Sequence, residues 1–369
     1  MILACQNISK AFGTDEIIQH ASFHIEENEK AAIVGINGAG KTTLLRIIMG
    51  ELEADEGTVV LAKNRTIGYL PQNPDIAGNR TIYEEVLSAR QEMVDMQEEL
   101  IAMEQEMSRV TGEALERLME SYNRRNLEFE QKGGQSYKSE ITGVLKGLGF
   151  TEEEFAKHMQ ELSGGQRTRV CLGKLLVTKP DVILLDEPTN HLDIGSITWL
   201  ETFLLNYKGA VVIVSHDRYF LDRVVGKVVE LDRCRVSVFS GNYSAYAVKR
   251  AQVREALLKQ YYNQQQEIRH QEEVIAKLKS FNREKSIKRA ESREKMLNKI
   301  ERLEKPTEEN TDIHLQLNPG IVSGNDVISV ERLAKAYPGQ PLFQDLSFEI
   351  KRGERVALIG DNGTGKTTI

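Results

Sequence analysis

The first 50 residues alternate between extended and helical patterns. Apolar and polar residues alternate over residues 2–8 and 22–26, which predicts two half-buried strands. Lys30–Val34 is a short apolar run that leads into a glycine-rich stretch, and residues 42–49 have the apolar spacing of a helix. We therefore predict three strands, a glycine loop and a helix, in that order.

Further along the chain the pattern becomes that of a layered α/β protein. Residues 83–132 are charged and helical in period, with Met, Leu and Val on one stripe. Residues 181–185 and 210–214 are continuous apolar runs, as expected of parallel strands buried on both faces. The fold class is therefore α/β, with a parallel sheet and a long helical stretch.

An internal repeat sets the domain organisation. Residues 2–43 and 327–368 align without a gap at a constant offset of 325, so that Lys10 matches Lys335 and Phe12 matches Tyr337. The second copy stops at Ile369, before a parallel sheet could be covered on both faces. We expect the C-terminal segment to be a truncated second domain without a complete site.

The repeat and the patterns together predict three segments. The first domain occupies residues 1–242 and contains the helical subdomain at 83–160. A charged α-helical hairpin follows at 243–318, because residues 244–305 contain no Gly or Pro. Its two long helices are expected to be hinged near residues 280–282. The start of the second domain occupies residues 319–369.

Composition narrows the class of protein without naming a function. Hydrophobic residues make up 40% and charged residues 28%, as in an ordinary globular chain. Cys5, Cys171 and Cys234 are far apart in sequence, so neither a zinc site nor a disulfide framework is indicated. No apolar run approaches the roughly 18 residues that span a bilayer. We therefore expect a soluble, cytoplasmic protein without a membrane segment.

The glycine-rich stretch predicts a phosphate site. Successive backbone N–H groups and the N-terminus of the following helix can cradle phosphate oxygens. Lys41 adds a cation for the β- and γ-phosphates, and the Thr42 hydroxyl can reach Mg²⁺. The predicted phosphate-binding residues of the two copies are Gly35, Asn37, Gly38, Gly40, Lys41, Thr42 and Thr43, and Gly360, Asn362, Gly363, Gly365, Lys366, Thr367 and Thr368.

A second motif places two carboxylates at the end of a buried strand. Asp186 and Glu187 follow the apolar run Val-Ile-Leu-Leu. The carboxyl ends of parallel strands are where α/β proteins bind ligands. Asp186 is expected to hold Mg²⁺, directly or through water, and Glu187 to orient or polarise an attacking water. Such a pair alone is more often a helix cap, but the glycine loop upstream favours the metal reading.

The third motif is Leu-Ser-Gly-Gly-Gln at residues 162–166. Ser163 has the position of a helix N-cap, and the two glycines allow another backbone or a phosphate to approach closely. An ordinary capped helix start explains the motif equally well when it is considered alone. The predicted ligand-binding residues of this motif are Ser163, Gly164, Gly165 and Gln166.

The three motifs in this order resemble those of the ATP-binding-cassette (ABC) ATPases. The resemblance covers essentially all of residues 1–240 and implies the P-loop cassette fold, with a RecA-like core, an antiparallel β part and a helical subdomain. It implies ATP and Mg²⁺ as ligands, with Phe12 and Tyr337 stacking on adenine, each 29 residues before its motif lysine. It also implies that Gln72 senses Mg²⁺ and water and that His216 contacts the γ-phosphate. Catalysis is therefore expected from Glu187, His216 and Gln72, and metal binding from Thr42, Gln72 and Asp186.

The family arrangement also implies a paired site. Two cassettes face each other head to tail, and each ATP lies between the glycine loop of one and the Leu-Ser-Gly-Gly-Gln of the other. The loop at 191–193 is expected to bridge the two. Lys366 would face Ser163, but the carboxylates of the second copy are missing from the sequence. An intact protein would use a second cassette in the same chain.

The string Glu-Pro-Thr-Asn-His-Leu-Asp at 187–193 resembles the ABC-F subfamily, whose members are soluble, carry an α-hairpin between two cassettes and bind the ribosome. Residues 249–305 hold 16 Lys and Arg against 9 Asp and Glu, in a chain with a net charge of −7. A basic tip on an acidic protein suits a phosphate backbone. The candidate contacts with ribosomal RNA or tRNA are Lys279, Arg283, Lys285, Lys288, Arg289 and Arg293.

Three other readings stay open on sequence alone. The chain could be the nucleotide-binding subunit of an ABC transporter whose membrane chains are separate. A chromosome-maintenance ATPase also combines a cassette with a coiled coil, although there the coil interrupts the cassette. The third is a binding module that does not turn over ATP. Separately, the basic hairpin could be a solvated coil that binds no RNA.

Overall fold

The computed structural model describes residues 1–72, 78–280, 284–299, 302–303, 305, 324–337, 340–360 and 364–369. It has two compact units, one formed by residues 1–243 and 323–369 and the other by residues 244–322. None of the helices in these described ranges is long and apolar enough to cross a membrane.

Two sheets carry the first unit. A six-stranded sheet has the order β5-β6-β7-β3-β8-β9 and is parallel except for its last pair, β8 and β9. A three-stranded antiparallel sheet has the order β2-β1-β4. The strands are β1 Leu3–Phe12, β2 Asp15–Ile25, β3 Lys30–Val34, β4 Glu56–Leu61, β5 Ile67–Leu70, β6 Val182–Asp186, β7 Ala210–Val214, β8 Lys227–Asp232 and β9 Arg235–Ser240.

The burial pattern explains why these runs form strands. Every residue of β3, β6 and β7 is buried, which fits continuous apolar segments in the middle of a covered parallel sheet. β1 and β2 are longer than the sequence pattern predicted, because their ends alternate between buried and exposed positions less regularly. One apolar core joins both sheets and helix α1, with Ile8, Leu44 and Val212 fully buried in it.

The helices lie around the parallel sheet and in the predicted helical subdomain. Those of the first unit are α1 Lys41–Met49, α2 Ile82–Leu87, α3 Gln91–Met107, α4 Glu113–Gln131, α5 Tyr137–Gly147, α6 Gly164–Thr178, α7 Ile194–Asn206 and α8 Arg218–Val224. The predicted helical run at 83–132 is in fact three helices. Gly112 has a left-handed backbone (φ 70°). Arg125 contacts Glu99 at 2.7 Å and Lys132 contacts Glu92 at 2.6 Å, so α3 and α4 pack as an antiparallel pair.

The second unit is helical in its described part. It contains α9 Tyr243–Ser280 and α10 Glu284–Leu297. Arg293 Nη1 donates to Gln271 Oε1 at 2.8 Å, and further on Leu303 N–H donates to Gln264 Oε1 at 2.8 Å, so the chain from α10 onward runs antiparallel to α9. Lys279 also pairs with Glu294 at 2.9 Å. The predicted hinge at 280–282 falls between them, and residues 281–283 lie outside the described residues.

The C-terminal segment repeats the start of the chain as a hairpin of β10 Asp326–Tyr337 and β11 Gln340–Lys351. Its register matches that of β1 and β2: Lys335 pairs with Phe343 as Lys10 pairs with Ile18. The fold is thus the predicted α/β class: a parallel sheet, an antiparallel sheet, helices and a helical hairpin.

Candidate nucleotide-binding site

The glycine loop lies between β3 and α1, at the carboxyl edge of the six-stranded sheet. Gly38 and Gly40 both have left-handed backbones, with φ of 80° and 97°. A Cβ on Gly40 would lie 2.4 Å from Ile17 Cγ2, so position 40 needs glycine for packing as well as for conformation. Because Gly40 has no side chain, the first N–H groups of α1 lack a side-chain cap, which is the arrangement that binds a phosphate oxygen.

Lys41 is buried at the base of this loop. Its Nζ donates to the backbone oxygens of Gly35 at 2.8 Å and Ile36 at 3.0 Å. Burial lowers the pKa of Lys41, and the carboxylates of Glu187 and Asp186 oppose that shift. The loop thus holds a cation beside its own N–H groups, an arrangement in which both can bind the same anion.

Asp186 ends β6 and lies next to the loop, because parallel strands direct their carboxyl ends to one edge. It accepts a hydrogen bond from Thr42 Oγ1 at 2.8 Å. Burial raises the pKa of Asp186, while the Thr42 hydroxyl and the Lys41 charge lower it. The structure therefore brings together the hydroxyl and the carboxylate that the sequence predicted as metal ligands.

Glu187 is paired with His216 at the end of the neighbouring strand β7. His216 Nε2 lies 3.4 Å from Glu187 Oε1, and the His216 N–H donates to Oε2 at 3.3 Å. Oε1 is buried and has no hydrogen-bond donor within bonding geometry. Burial raises the pKa of Glu187, and its backbone is left-handed (φ 52°). The Glu187 carboxylate therefore has one buried oxygen without a hydrogen bond, and such an oxygen is suited to bind a water molecule or a proton.

These groups surround one cavity of about 530 Å³, a volume typical of ligand sites. Phe12 lies at its rim with half of its surface exposed. The side chains and backbone that line it belong to Phe12, Ile17, Asn37, Gly38, Gly40, Lys41, Thr42, Thr43, Gln72, Asp186, Glu187, Asn190, Val214 and His216. Most of the predicted first-cassette residues therefore share a single cavity.

The donors in this cavity fit a magnesium ion. Mg²⁺ prefers oxygen ligands and is held by a few protein groups together with phosphates and water. Thr42, Asp186 and Gln72 supply a hydroxyl, a carboxylate and an amide at the same cavity. The acceptor Glu187 Oε1 lies close by, with its hydrogen-bonding capacity unfilled.

The Leu-Ser-Gly-Gly-Gln residues lie elsewhere, at the N-terminus of α6. Ser163 Oγ accepts from Gln166 N at 3.3 Å, and Gln166 Oε1 accepts from Ser163 N at 3.0 Å, forming a capping box. Ser163, Gly165 and Gln166 line a second cavity of about 890 Å³ together with His191 and other residues. The four residues therefore do not contribute to the cavity around Lys41.

The described part of the second glycine loop repeats two features of the first, a hydrogen bond of the motif lysine and a left-handed glycine. Lys366 Nζ donates to Gly360 O, as Lys41 does to Gly35 O. Gly365 has a φ of 91°, and a Cβ on it would lie 2.7 Å from Leu342. Tyr337 is half exposed at the end of β10, and Thr367 and Thr368 lie in a turn. Asn362 and Gly363 are outside the described residues.

The predicted RNA-contact residues belong to the hairpin of α9 and α10. Lys279 and Arg293 bond across it, as described above. Lys288 and Arg289 are exposed on α10. Arg283 and the side chain of Lys285 lie outside the described residues.

Sequence reasoning missed several cavity residues. Ile17, Asn190 and Val214 line the first cavity. Ile17 was detectable, because the repeat aligns it with the apolar Leu342.

Arg169, one turn after Gly165, lines the second cavity: its guanidinium lies 4.7 Å from the Phe150 ring centre, and its Nε is buried without a hydrogen bond. No sequence pattern reveals that burial.

Comparison with known proteins identifies the family. The sequence pattern of the family described as "ABC transporter" matches residues 18–190 and 343–369, and a second pattern of the same description matches residues 229–315. The chain therefore belongs to the ATP-binding-cassette family and is an ABC-type ATP-binding protein.

Its relatives include members of the F family. The chain is 43% identical over 370 residues to the ATP-binding protein YdiF of Bacillus subtilis, covering 100% of this chain and 57% of the relative. It is 33% identical to "ABC transporter F family member 2" of Arabidopsis thaliana, covering 99% and 54%. It is 34% identical to the "Energy-dependent translational throttle protein EttA" of Mycobacterium tuberculosis, covering 100% and 64%.

The chain thus spans a little over half the length of the first two of these relatives. A solved structure described as "Structure of ATP binding subunit of ABC transporter" covers 65% of this chain and 90% of its own, with 18% identity and a TM-score of 0.49. The ABC-F resemblance drawn from residues 187–193 and the connector is confirmed by the named F-family relatives.

Proposed function

We propose that this protein hydrolyses MgATP when a second cassette closes on its site, and that it uses this cycle on the ribosome. The observation that carries the hydrolytic part is the convergence of Lys41, Asp186, Glu187 and His216 on one cavity in a member of the ABC family. The proposal adopts the division into a first cassette at 1–242, a hairpin linker at 243–318 and a second cassette beginning at 319.

The proposed chemistry assigns one task to each residue. Lys41 and the loop N–H groups bind the phosphates, and magnesium supplies charge neutralisation there when it is bound. Glu187 orients the attacking water and accepts its proton as the water oxygen bonds to the γ-phosphorus and the bond to ADP breaks. The backbone N–H of His216 donates to Glu187 Oε2 and holds the carboxylate in place. The Phe12 ring stacks on the base.

The hydrolytic assignment is tested with Glu187→Gln in a protein that contains both cassettes. We expect MgATP binding to be retained and turnover to fall by at least two orders of magnitude, because general-base catalysis contributes about 10²–10⁴-fold. Binding is measured by isothermal titration calorimetry and turnover by phosphate release. Undiminished hydrolysis would remove Glu187 from the catalytic role and with it the mechanism above.

The ribosomal part of the proposal is supported by two observations. The described part of the hairpin exposes Lys288 and Arg289 on α10, within a segment of 16 basic and 9 acidic residues. One relative's name describes a translational throttle. Multiple phosphate contacts make nucleic-acid binding strongly dependent on salt concentration. We therefore expect the chain to bind ribosomes in a salt-sensitive way.

Co-sedimentation with purified ribosomes tests this part. Neutralising Arg283, Lys285, Lys288 and Arg289 to Gln should reduce the bound fraction and flatten its salt dependence. The matched control removes four exposed cations from the first cassette, namely Lys63, Arg117, Lys146 and Lys208. Equal binding by both variants and the wild type would reject the hairpin as the RNA contact and favour a partner of another kind, such as a membrane transporter chain.

A further inference from the structure

We infer that Lys10 is a positioning residue for the nucleotide base: its ammonium lies over the ring of Phe12 and holds that ring as a stacking platform. The inference rests on the proposed function, in which Phe12 contacts the base. It adds a residue that lies behind the platform and does not line the cavity.

The contact is part of a three-residue clamp. Lys10 Nζ lies 5.8 Å from the centre of the Phe12 ring and pairs with Asp55 Oδ1 at 2.6 Å. The other oxygen of Asp55 accepts a hydrogen bond from the Ala11 N–H at 2.7 Å. The side chain of Lys10 is only 13% exposed, whereas Phe12 is 52% exposed. The clamp therefore fixes the cation while one side of the ring stays open.

An irregularity in β1 shapes this arrangement. The register with β2 shifts between Ile8 and Lys10 and again between Lys10 and Ala11. Such bulges re-aim side chains next to functional sites. Asp55 bonds to the backbone at this position, and its own N–H donates to Ser9 O at 2.9 Å. The side chain of Lys10 is thus directed by the backbone and by Asp55 together.

The second copy of the repeat supplies an independent observation. Lys335 Nζ lies 5.3 Å from the centre of the Tyr337 ring. The β10–β11 register shifts at the equivalent places, between Leu333 and Lys335 and between Lys335 and Ala336. Two hairpins of different sequence therefore place a lysine on the aromatic residue that follows two positions later.

Physical chemistry gives this geometry a role. A cation within about 6 Å of a ring centre is attracted by the negative face of the ring. An exposed aromatic side chain would otherwise move among rotamers, and binding would have to restrict it. The cation also withdraws electron density from the ring, which favours stacking on an electron-rich base. Restriction of the ring and its lower electron density both change the binding of the base, and neither changes the binding of the phosphates.

The test compares two ligands on this chain by isothermal titration calorimetry: MgATP and magnesium tripolyphosphate, which has no base. Lys10→Met keeps the length of the side chain and removes its charge. We expect it to weaken MgATP binding about two- to fivefold, the range for an exposed cation–π contact. Tripolyphosphate binding should stay within experimental error. Lys10→Arg, which retains the cation, should restore MgATP affinity.

A double variant separates positioning from general loss of structure. In a Phe12→Ala background, Lys10→Met should have no further effect on MgATP affinity, because the platform is already gone. Equal weakening of both ligands by Lys10→Met, or full additivity with Phe12→Ala, would overturn the inference. Failure of the wild-type chain to bind MgATP would instead refute the proposed function on which the inference rests.

Discussion

The two neighbouring glycines of the Leu-Ser-Gly-Gly-Gln motif have different surroundings, which makes a matched pair of substitutions informative. A Cβ on Gly165 would lie 2.8 Å from the Cβ and Cγ atoms of His191, closer than real Cβ atoms approach. A Cβ on Gly164 would meet nothing within 4 Å. The contacted atoms are at the root of the His191 side chain, so a simple rotamer change does not relieve the clash.

The magnitude follows from this geometry. The Gly165 contact is about 0.6 Å shorter than an ordinary contact of 3.4 Å, and overpacking of this kind costs about 1–3 kcal/mol. Alanine in place of glycine in a helix returns up to about 1 kcal/mol. Because both positions gain the same helix propensity, that gain cancels in the comparison. We therefore expect Gly165→Ala to have a free energy of unfolding about 1–3 kcal/mol lower than that of Gly164→Ala.

The assay is urea unfolding of the nucleotide-free chain, followed by fluorescence. Trp199 is the only tryptophan in the sequence and packs against α5, where a Cβ on Gly147 would lie 2.1 Å from its indole. Its signal therefore reports on the first cassette. Gly165→Ala should unfold at lower urea than Gly164→Ala, with the same slope. Equal midpoints would refute the contact between α6 and the 191–193 loop.

Two further predictions concern the same unit. Burial raises the pKa of Glu187, so the folded state binds the proton of this carboxyl group more tightly than the unfolded state does. The resulting contribution to stability is fully present below the pKa of the unfolded state and is lost as the pH rises through the pKa of the folded state. Glu187→Gln should therefore raise the Tm at pH 8 more than at pH 5, and a gain independent of pH would contradict this. Ser163→Ala removes the α6 cap and should cost about 1 kcal/mol, measured as a Tm lower by about 2–4 °C. Ser163→Asp keeps an acceptor and should cost less, whereas equal losses would argue against the cap.

In the first unit, the sequence predicted the elements whose structure follows from a local pattern of apolar residues. Lys30–Val34 and Ala210–Val214 form the expected strands because continuous apolar runs are stable only when both faces are covered. The break between α3 and α4 was missed. Gly112, with its φ of 70°, is a local signal for the break, and the contact of Arg125 with Glu99 joins α4 to α3 after it.

The residues around the nucleotide cavity also divide into those that a local motif predicts and those that tertiary contacts bring there. Residues predicted from motifs, such as Lys41 and Asp186, share one cavity, and the pairing of β1 with β2 brings Ile17 to the same cavity. The clamp of Lys10 by Asp55 joins residues 45 positions apart and gave no signal in the sequence.

The sequence by itself determined the glycine loop. Gly365 has the left-handed φ of Gly40, and Lys366 donates to the carbonyl six positions before it as Lys41 does. Both features depend on residues within a short stretch of chain. Only the tertiary structure decided the electrostatics of Glu187. Its approach to His216 and its raised pKa depend on β6 and β7 lying side by side and on the burial that their packing creates, and neither is encoded within a short stretch of chain.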